Sequence, residues 1–155
     1  MIDENLIAPC GMNCILCVSY QFMKGDLNQK GFHKKYCPGC NPRGLHCLFM
    51  GDHCELLRNG RVRFCFECAN YPCKRLKALD SRYQKKYRMS MIENLTVIQE
   101  QGLQTFLDQQ ETRWQCAICG ALICCHIGLC LHCDLEKIIQ NKKYRKDLKS
   151  DDGIA

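Results

Sequence analysis

Conventional apolar side chains are in short supply in this chain. Hydrophobic residues make up 46% of the sequence, but 16 of its 155 residues are cysteine. Without them roughly a third of the chain is apolar, a thin supply for a core of this size. Such a composition argues against a domain held by oil alone and calls for staples, either disulfides or metal ions. A secretory signal is also missing from the start that is given. Met1-Ile2-Asp3-Glu4-Asn5 is acidic and polar, and Cys10 arrives before an apolar run could finish. The thiols are therefore expected to meet a reducing, cytoplasmic environment, where paired cysteines bind metal more often than they form disulfides.

Other absences narrow the chemistry. Acidic residues are scattered, no His-x-Glu motif accompanies a cysteine pair, and no Gly-rich phosphate loop precedes a helix. No catalytic set is read from this pattern, so an enzyme is not the favoured expectation. A spare nucleophilic cysteine beside Lys or Arg is the one enzymatic reading that survives. Charge is absent from Trp114 to Cys133, twenty residues without Asp, Glu, Lys or Arg. That is the length of a membrane span, but six of these residues are Cys and two are His, spaced as ligands. The expectation is metal, not membrane.

What the chain does have is cysteine in three blocks. The first is Cys10, Cys14 and Cys17; the second is Cys37, Cys40, Cys47, Cys54, Cys65, Cys68 and Cys73; the third runs from Cys116 to Cys133. A C-x2-C pair recurs five times, at 14/17, 37/40, 65/68, 116/119 and 130/133. Thiolates at this spacing place two sulfurs on one tight turn, half of a tetrahedral zinc site. Cys116, Cys119, Cys130 and Cys133, with Gly120 turning the chain behind the first pair, predict a closed zinc-ribbon site. Cys124, Cys125 and His126 fall between the pairs and are read as buried small residues or as an alternative ligand.

The ten earlier cysteines divide in several ways. Cys37, Cys40, Cys47 and Cys54 could close a local site, leaving Cys10, Cys14, Cys17, Cys65, Cys68 and Cys73 for one or two zinc ions. The same N-terminal thiols could hold an iron–sulfur cluster, and a crossed pairing of 37/40 with 65/68 fits nearly as well. His33, His46 and His53 stand near enough to replace a thiolate. Cys10-x3-Cys14-x2-Cys17 also has the spacing of the radical-SAM cluster motif. Leu16 stands where an aromatic is usual there, and the chain has no room for the barrel.

Between the blocks, residues 74–113 read as helix. Lys74 to Arg88 is dense in helix formers, Ser90-Met91-Ile92-Glu93 is a capping box, and Gly102 is a natural stop before a helix from Leu103 to about Thr112. A last helix is expected over Asp134 to Ser150. The fold class expected is a small, loop-rich, metal-bound α+β protein. Its parts are a Cys-rich module at 1–75, a helical segment at 76–113, a zinc-ribbon-like module at 114–136 and a basic tail at 137–155.

Charge points toward partners only locally. The formal net charge is +6, but metal-bound thiols are deprotonated, and three four-thiolate zinc sites would cancel it. Lys74, Arg75, Lys77, Arg82, Lys85, Lys86 and Arg88 nevertheless cluster around a single Asp80, with Tyr83 and Tyr87 interleaved. The tail repeats the pattern with Lys137, Lys142, Lys143, Arg145, Lys146 and Lys149. Such basic helices could meet a protein or track nucleic-acid phosphates, or offset anionic metal–thiolate sites.

Several segments together resemble a known family. Cys10-Gly-Met-Asn-Cys14-x2-Cys17, Cys37-Pro-Gly-Cys40, Cys65-Phe-Glu-Cys68-Ala-Asn-Tyr-Pro-Cys73 and Met89-Ser-Met-Ile-Glu-Asn-Leu95 are similar to an uncharacterised prokaryotic family, the cysteine-rich domain of unknown function 3795. The resemblance is read over roughly residues 8–135 and is looser between Cys40 and Cys65. It implies a metal-bound cytosolic protein and supplies no activity, substrate or catalytic residue.

Overall fold

The computed structural model describes residues 1–43, 54–140 and 142–144. Its helices among these residues are α1 (Val18–Lys24), α2 (Glu55–Arg58), α3 (Lys74–Tyr87), α4 (Met91–Gln101), α5 (Leu103–Trp114) and α6 (Leu135–Ile139). Short 3-10 turns stand at Glu4–Leu6, Cys14–Leu16, Leu27–Lys30, Cys65–Glu67 and Lys142–Tyr144. No helix of the described residues is long and apolar enough to cross a membrane.

The central helices start and stop where local chemistry dictates. Cys73 caps α3, its Sγ accepting from the Leu76 N–H at 3.4 Å. Ser90 caps α4, its Oγ accepting from the Glu93 N–H at 3.0 Å, which satisfies a donor the helix leaves open. The elbow between α3 and α4 closes on the buried carboxylate of Asp80. It accepts from Ser90 Oγ at 2.7 Å, the Ile92 N–H at 3.1 Å and Gln84 Nε2 at 2.6 Å. A carboxylate at the first turn of α4 also complements the positive end of that helix. Met91, Leu95 and Ile98 on α4 meet Phe106 and Leu107 on α5 and Leu76 and Leu79 on α3. Each such side chain contributes about 1.5–3 kcal/mol on burial.

The first cysteine block docks onto this helical layer. Residues 8–13 form a tight turn in which the Ala8 N–H donates to the Met12 carbonyl (2.8 Å) and the Gly11 N–H to the Ala8 carbonyl (2.9 Å). Gly11, at φ 90°, presses so closely on α4 that a Cβ there would lie 2.8 Å from the Met91 carbonyl oxygen. Asn94 Nδ2 donates to the Gly11 carbonyl at 2.9 Å, and the buried Asn13 faces Gln110 of α5 at 3.5 Å. The glycine in the Cys-Gly-Met-Asn-Cys motif thus sets how near the thiol loop comes to the helices.

Two apolar clusters result. The larger combines the N-terminal loop, Leu57, Phe64 and the faces of α3, α4 and α5. The smaller gathers Val18 and Phe22 of α1 with Leu27, Phe32, Ile138 and Tyr144. Cys124 fills the smaller cluster and its neighbour Cys125 the larger.

Two expectations need correction. The β part of an α+β fold, and the zinc-ribbon hairpin with it, has no strands among the described residues. Pairing is confined to isolated antiparallel bridges at Ile7–Asn13, Gln115–Leu122 and Cys124–Leu129. Of the ten residues between Cys119 and Cys130, 125–128 form one turn and Leu122, Cys124 and Leu129 make only single bridges, so no ladder develops. The helix expected over Asp134–Ser150 is α6, which ends at Ile139 and is followed by the Lys142–Tyr144 turn; residues beyond 144 lie outside the described part.

Candidate metal centre

Two knuckles bring Cys116, Cys119, Cys130 and Cys133 together. In the first, the Cys116 N–H donates to the Ala121 carbonyl at 2.7 Å and the Gly120 N–H to the Cys116 carbonyl at 2.9 Å. Gly120 sits at φ 78°, the left-handed conformation that a glycine adopts without a Cβ penalty. In the second, the Asp134 N–H donates to the Cys130 carbonyl at 2.8 Å. The Asp134 carboxylate accepts from the Cys130 N–H at 3.2 Å and pairs with Lys137 at 3.4 Å.

The four Sγ atoms all lie within 4.8 Å of one another, with Cys116–Cys133 at 4.0 Å and Cys119–Cys130 at 3.6 Å. A tetrahedral ion with zinc–sulfur bonds of about 2.3 Å requires sulfur–sulfur edges of about 3.8 Å, so the donor set fits a single metal ion. Backbone N–H groups of Cys119 and Ile118 point at the Cys116 sulfur and lower its pKa. Burial raises that of Cys130 against the N–H groups of Cys133 and His132. These converging N–H dipoles stabilise thiolate in the way a metal-bound knuckle uses. Cys116 and Cys130 are buried, while Cys119 and Cys133 reach the surface. No other set of three or more His, Cys, Asp or Glu ligand atoms among the described residues is gathered this tightly.

The earlier cysteines separate in an arrangement that the sequence partitions did not include. Cys10, Cys14, Cys17, Cys37 and Cys40 line one cavity of about 110 Å3. Cys14 and Cys40 are in hydrogen-bond contact; this contact first, and burial second, raise the Cys40 pKa. Burial likewise raises the pKa of Cys17, with Cys37 and Cys40 near it. Cys54, Cys65, Cys68 and Cys73 line a second, smaller cavity of about 30 Å3 with Leu57, Tyr71 and Leu76. Sulfur there faces backbone donors: Cys68 Sγ accepts from the Asn70 N–H at 3.4 Å, as Cys73 does from Leu76. The Cys65 N–H bonds the Pro9 carbonyl at 2.9 Å, so Cys10 stands near the seam of the two groups. The 37/40 pair thus joins the first block and Cys54 joins 65, 68 and 73. Cys47, His46 and His53 lie outside the described residues. His33 is exposed. No disulfide joins any of the described cysteines.

Cys124 and Cys125 are buried, and burial pushes the Cys124 pKa up to about 11 and raises that of Cys125. These are features of core-filling thiols. His126 has a role that sequence reasoning missed. Its Nδ1 accepts from the Val18 N–H at 3.2 Å, so the neutral ring carries its proton on Nε2 and donates it to Tyr83 Oη at 2.9 Å. Burial, then the charges of Lys34, Lys143 and Arg82, depress its pKa to about 4. A lone histidine inside an apolar run carries no signal of this, because its partners lie 108 and 43 residues away.

No curated protein and no solved structure matches the chain. The resemblance read from the cysteine motifs has its counterpart in a family model that ends at residue 78, ahead of α4, α5 and the 116–133 knuckles. Residues 6–78 match the model of an uncharacterised family, described as protein of unknown function (DUF3795).

Proposed function

We propose that this protein is a thiolate–metal protein in which Cys116, Cys119, Cys130 and Cys133 hold one zinc ion as a structural clamp. The observation that carries this reading is the four-sulfur set within 4.8 Å, with separations matched to the edges of a zinc tetrahedron. The Cys10/14/17/37/40 and Cys54/65/68/73 groups hold further metal in the reducing cytoplasm. The metals shape a module whose working surface is the basic side of α3, where Lys74, Lys77, Arg82, Lys85 and Lys86 are exposed. A protein or nucleic-acid partner of negative charge suits that surface.

A second reading places an iron–sulfur cluster in the first group. It is favoured by five cysteines around a cavity of about 110 Å3, more room than a single ion needs. Anaerobic purification with metal analysis and a visible spectrum tests both. Colourless protein holding zinc, with one equivalent lost on Cys130→Ser, supports the first. Brown protein with iron and a band near about 400 nm, lost on Cys14→Ser and kept on Cys130→Ser, supports the second. Protein free of bound metal after anaerobic purification and zinc reconstitution would sink both.

A further inference from the structure

A cavity of about 300 Å3 lies between α1, α3, the turn after Cys124 and the Lys142–Tyr144 turn. This is the lower end of the size range for small-molecule sites. Lys34, Arg82 and Lys143 come to it from three distant parts of the chain, and its walls include Ser19, Tyr87 and His126. Among the described residues lining it there is no Asp or Glu.

Cations gathered on one concave surface add their fields in a space partly shielded from water. The field is felt inside the protein. The charges acting on the neighbouring His126 are all cations, the same Lys34, Lys143 and Arg82. His126 is also fixed in place, bonded to the Val18 backbone and to Tyr83, with the Tyr87 ring edge-on at a centroid distance of 4.7 Å. Cations in the same cavity as a fixed wall of aromatic rings make a preorganised receptor for an anion attached to a flat or apolar body.

We propose that this cavity binds a small phosphate-bearing ligand, with Lys34, Arg82 and Lys143 holding the phosphate and the Tyr87–His126 wall holding the body of the molecule. Arg82 supplies the planar fork that matches two phosphate oxygens, and Lys34 and Lys143 supply point charges on the same cavity. Cys17 lines both this cavity and the five-cysteine cavity. An occupant would therefore sit directly against the first thiol group. The proposal does not depend on which metal that group holds.

The test is a nitrogen-15 NMR titration of the full-length, metal-loaded protein with inorganic phosphate and, separately, with a nucleoside monophosphate at physiological ionic strength. Saturable shifts are expected at Ser19, Lys34, Arg82 and Tyr87, with the mononucleotide binding more tightly than phosphate. Arg82→Gln, at an exposed position that leaves the core intact, should weaken binding by roughly tenfold or more. Arg58→Gln, at an exposed position on α2 and outside the cavity, should change it less than twofold. Three results would overturn the proposal. One is the absence of saturable shifts at millimolar ligand, which would mean that the three cations only balance thiolates beyond Cys17. The second is equal weakening by both variants, the mark of diffuse attraction. The third is binding of a single-stranded oligonucleotide alone, with shifts spread along α3, which would assign the cations to a polymer surface.

Discussion

The two ends of the molecule gather cysteines by opposite means. At the C-terminal end four thiols meet within an eighteen-residue stretch, each pair on its own knuckle, and their sulfurs already stand at metal-tetrahedron distances. At the N-terminal end the cavities draw thiols from Cys10 through Cys73, and the loops carrying them are placed by contacts with α3, α4 and α5. One site is shaped by its own turns. The others borrow their shape from a helical core.

That contrast predicts unequal responses to damage. The largest effect should come from breaking the local site. With the proposed zinc in place, metal-binding energy would be folding energy, on the order of 10 kcal/mol for a structural zinc, and Cys130→Ser should release one metal equivalent. Amide exchange at the two knuckles, 116–121 and 130–134, should become fast, while Cys124 and Cys125, buried in the cores, and α4 and α5 stay protected. Retention of full metal content with slow exchange would show that the core, not the metal, holds this segment.

A single kind of substitution can be made at both ends. Gly11→Ala puts a Cβ 2.8 Å from the Met91 carbonyl at a positive φ, and should cost about 3 kcal/mol in a denaturant melt. Gly120→Ala also meets a positive φ, but the nearest atom is the Gln115 amide at 3.6 Å, so about 1 kcal/mol is expected from backbone strain alone. Equal costs would erase the distinction between a glycine pressed on a core and a glycine with room around it.

A smaller effect should come from acid. His126 is held neutral, with its folded pKa at about 4 against an ordinary 6.5. The unfolded chain therefore binds a proton that the folded chain refuses between those values, and stability falls as pH drops from 6.5 to 4. Allowing for the ring's partial exposure, about 2 kcal/mol should be lost across this window. His126→Gln should flatten that part of the stability profile, after metal loss is followed separately. An unchanged slope would mean that the ring is not locked between Val18 and Tyr83.

What could be read ahead of the structure follows the same division. Ser90 as a cap, Gly102 as a stop and the periodicity of Met91, Leu95 and Ile98 are local signals, and the helices stand where those residues place them. The 116/119/130/133 set was legible because both pairs and the turn between them lie close in sequence. The grouping of Cys37 and Cys40 with Cys14, and of Cys54 with Cys65, was not, because it depends on where the 8–13 turn docks on α4. The expected hairpin failed for a related reason. C-x2-C spacing specifies the knuckles but says nothing about whether the intervening residues pair or turn. Asp134 onward reads as a long helix by composition, yet α6 ends once Ile138 is buried beside Phe22 and Tyr144.

The adjacent burial of Cys124 and Cys125 bears on how this protein can be taken apart. Consecutive residues whose side chains complete two different cores act as a rivet through overlapping plates. Removing the segment that carries them would uncover the α1 side and the α3–α5 side at once. The C-terminal knuckles would then be no detachable appendage, and the 6–78 region expressed alone would present two raw apolar faces. Its natural lid is the part of the chain that the family match leaves out.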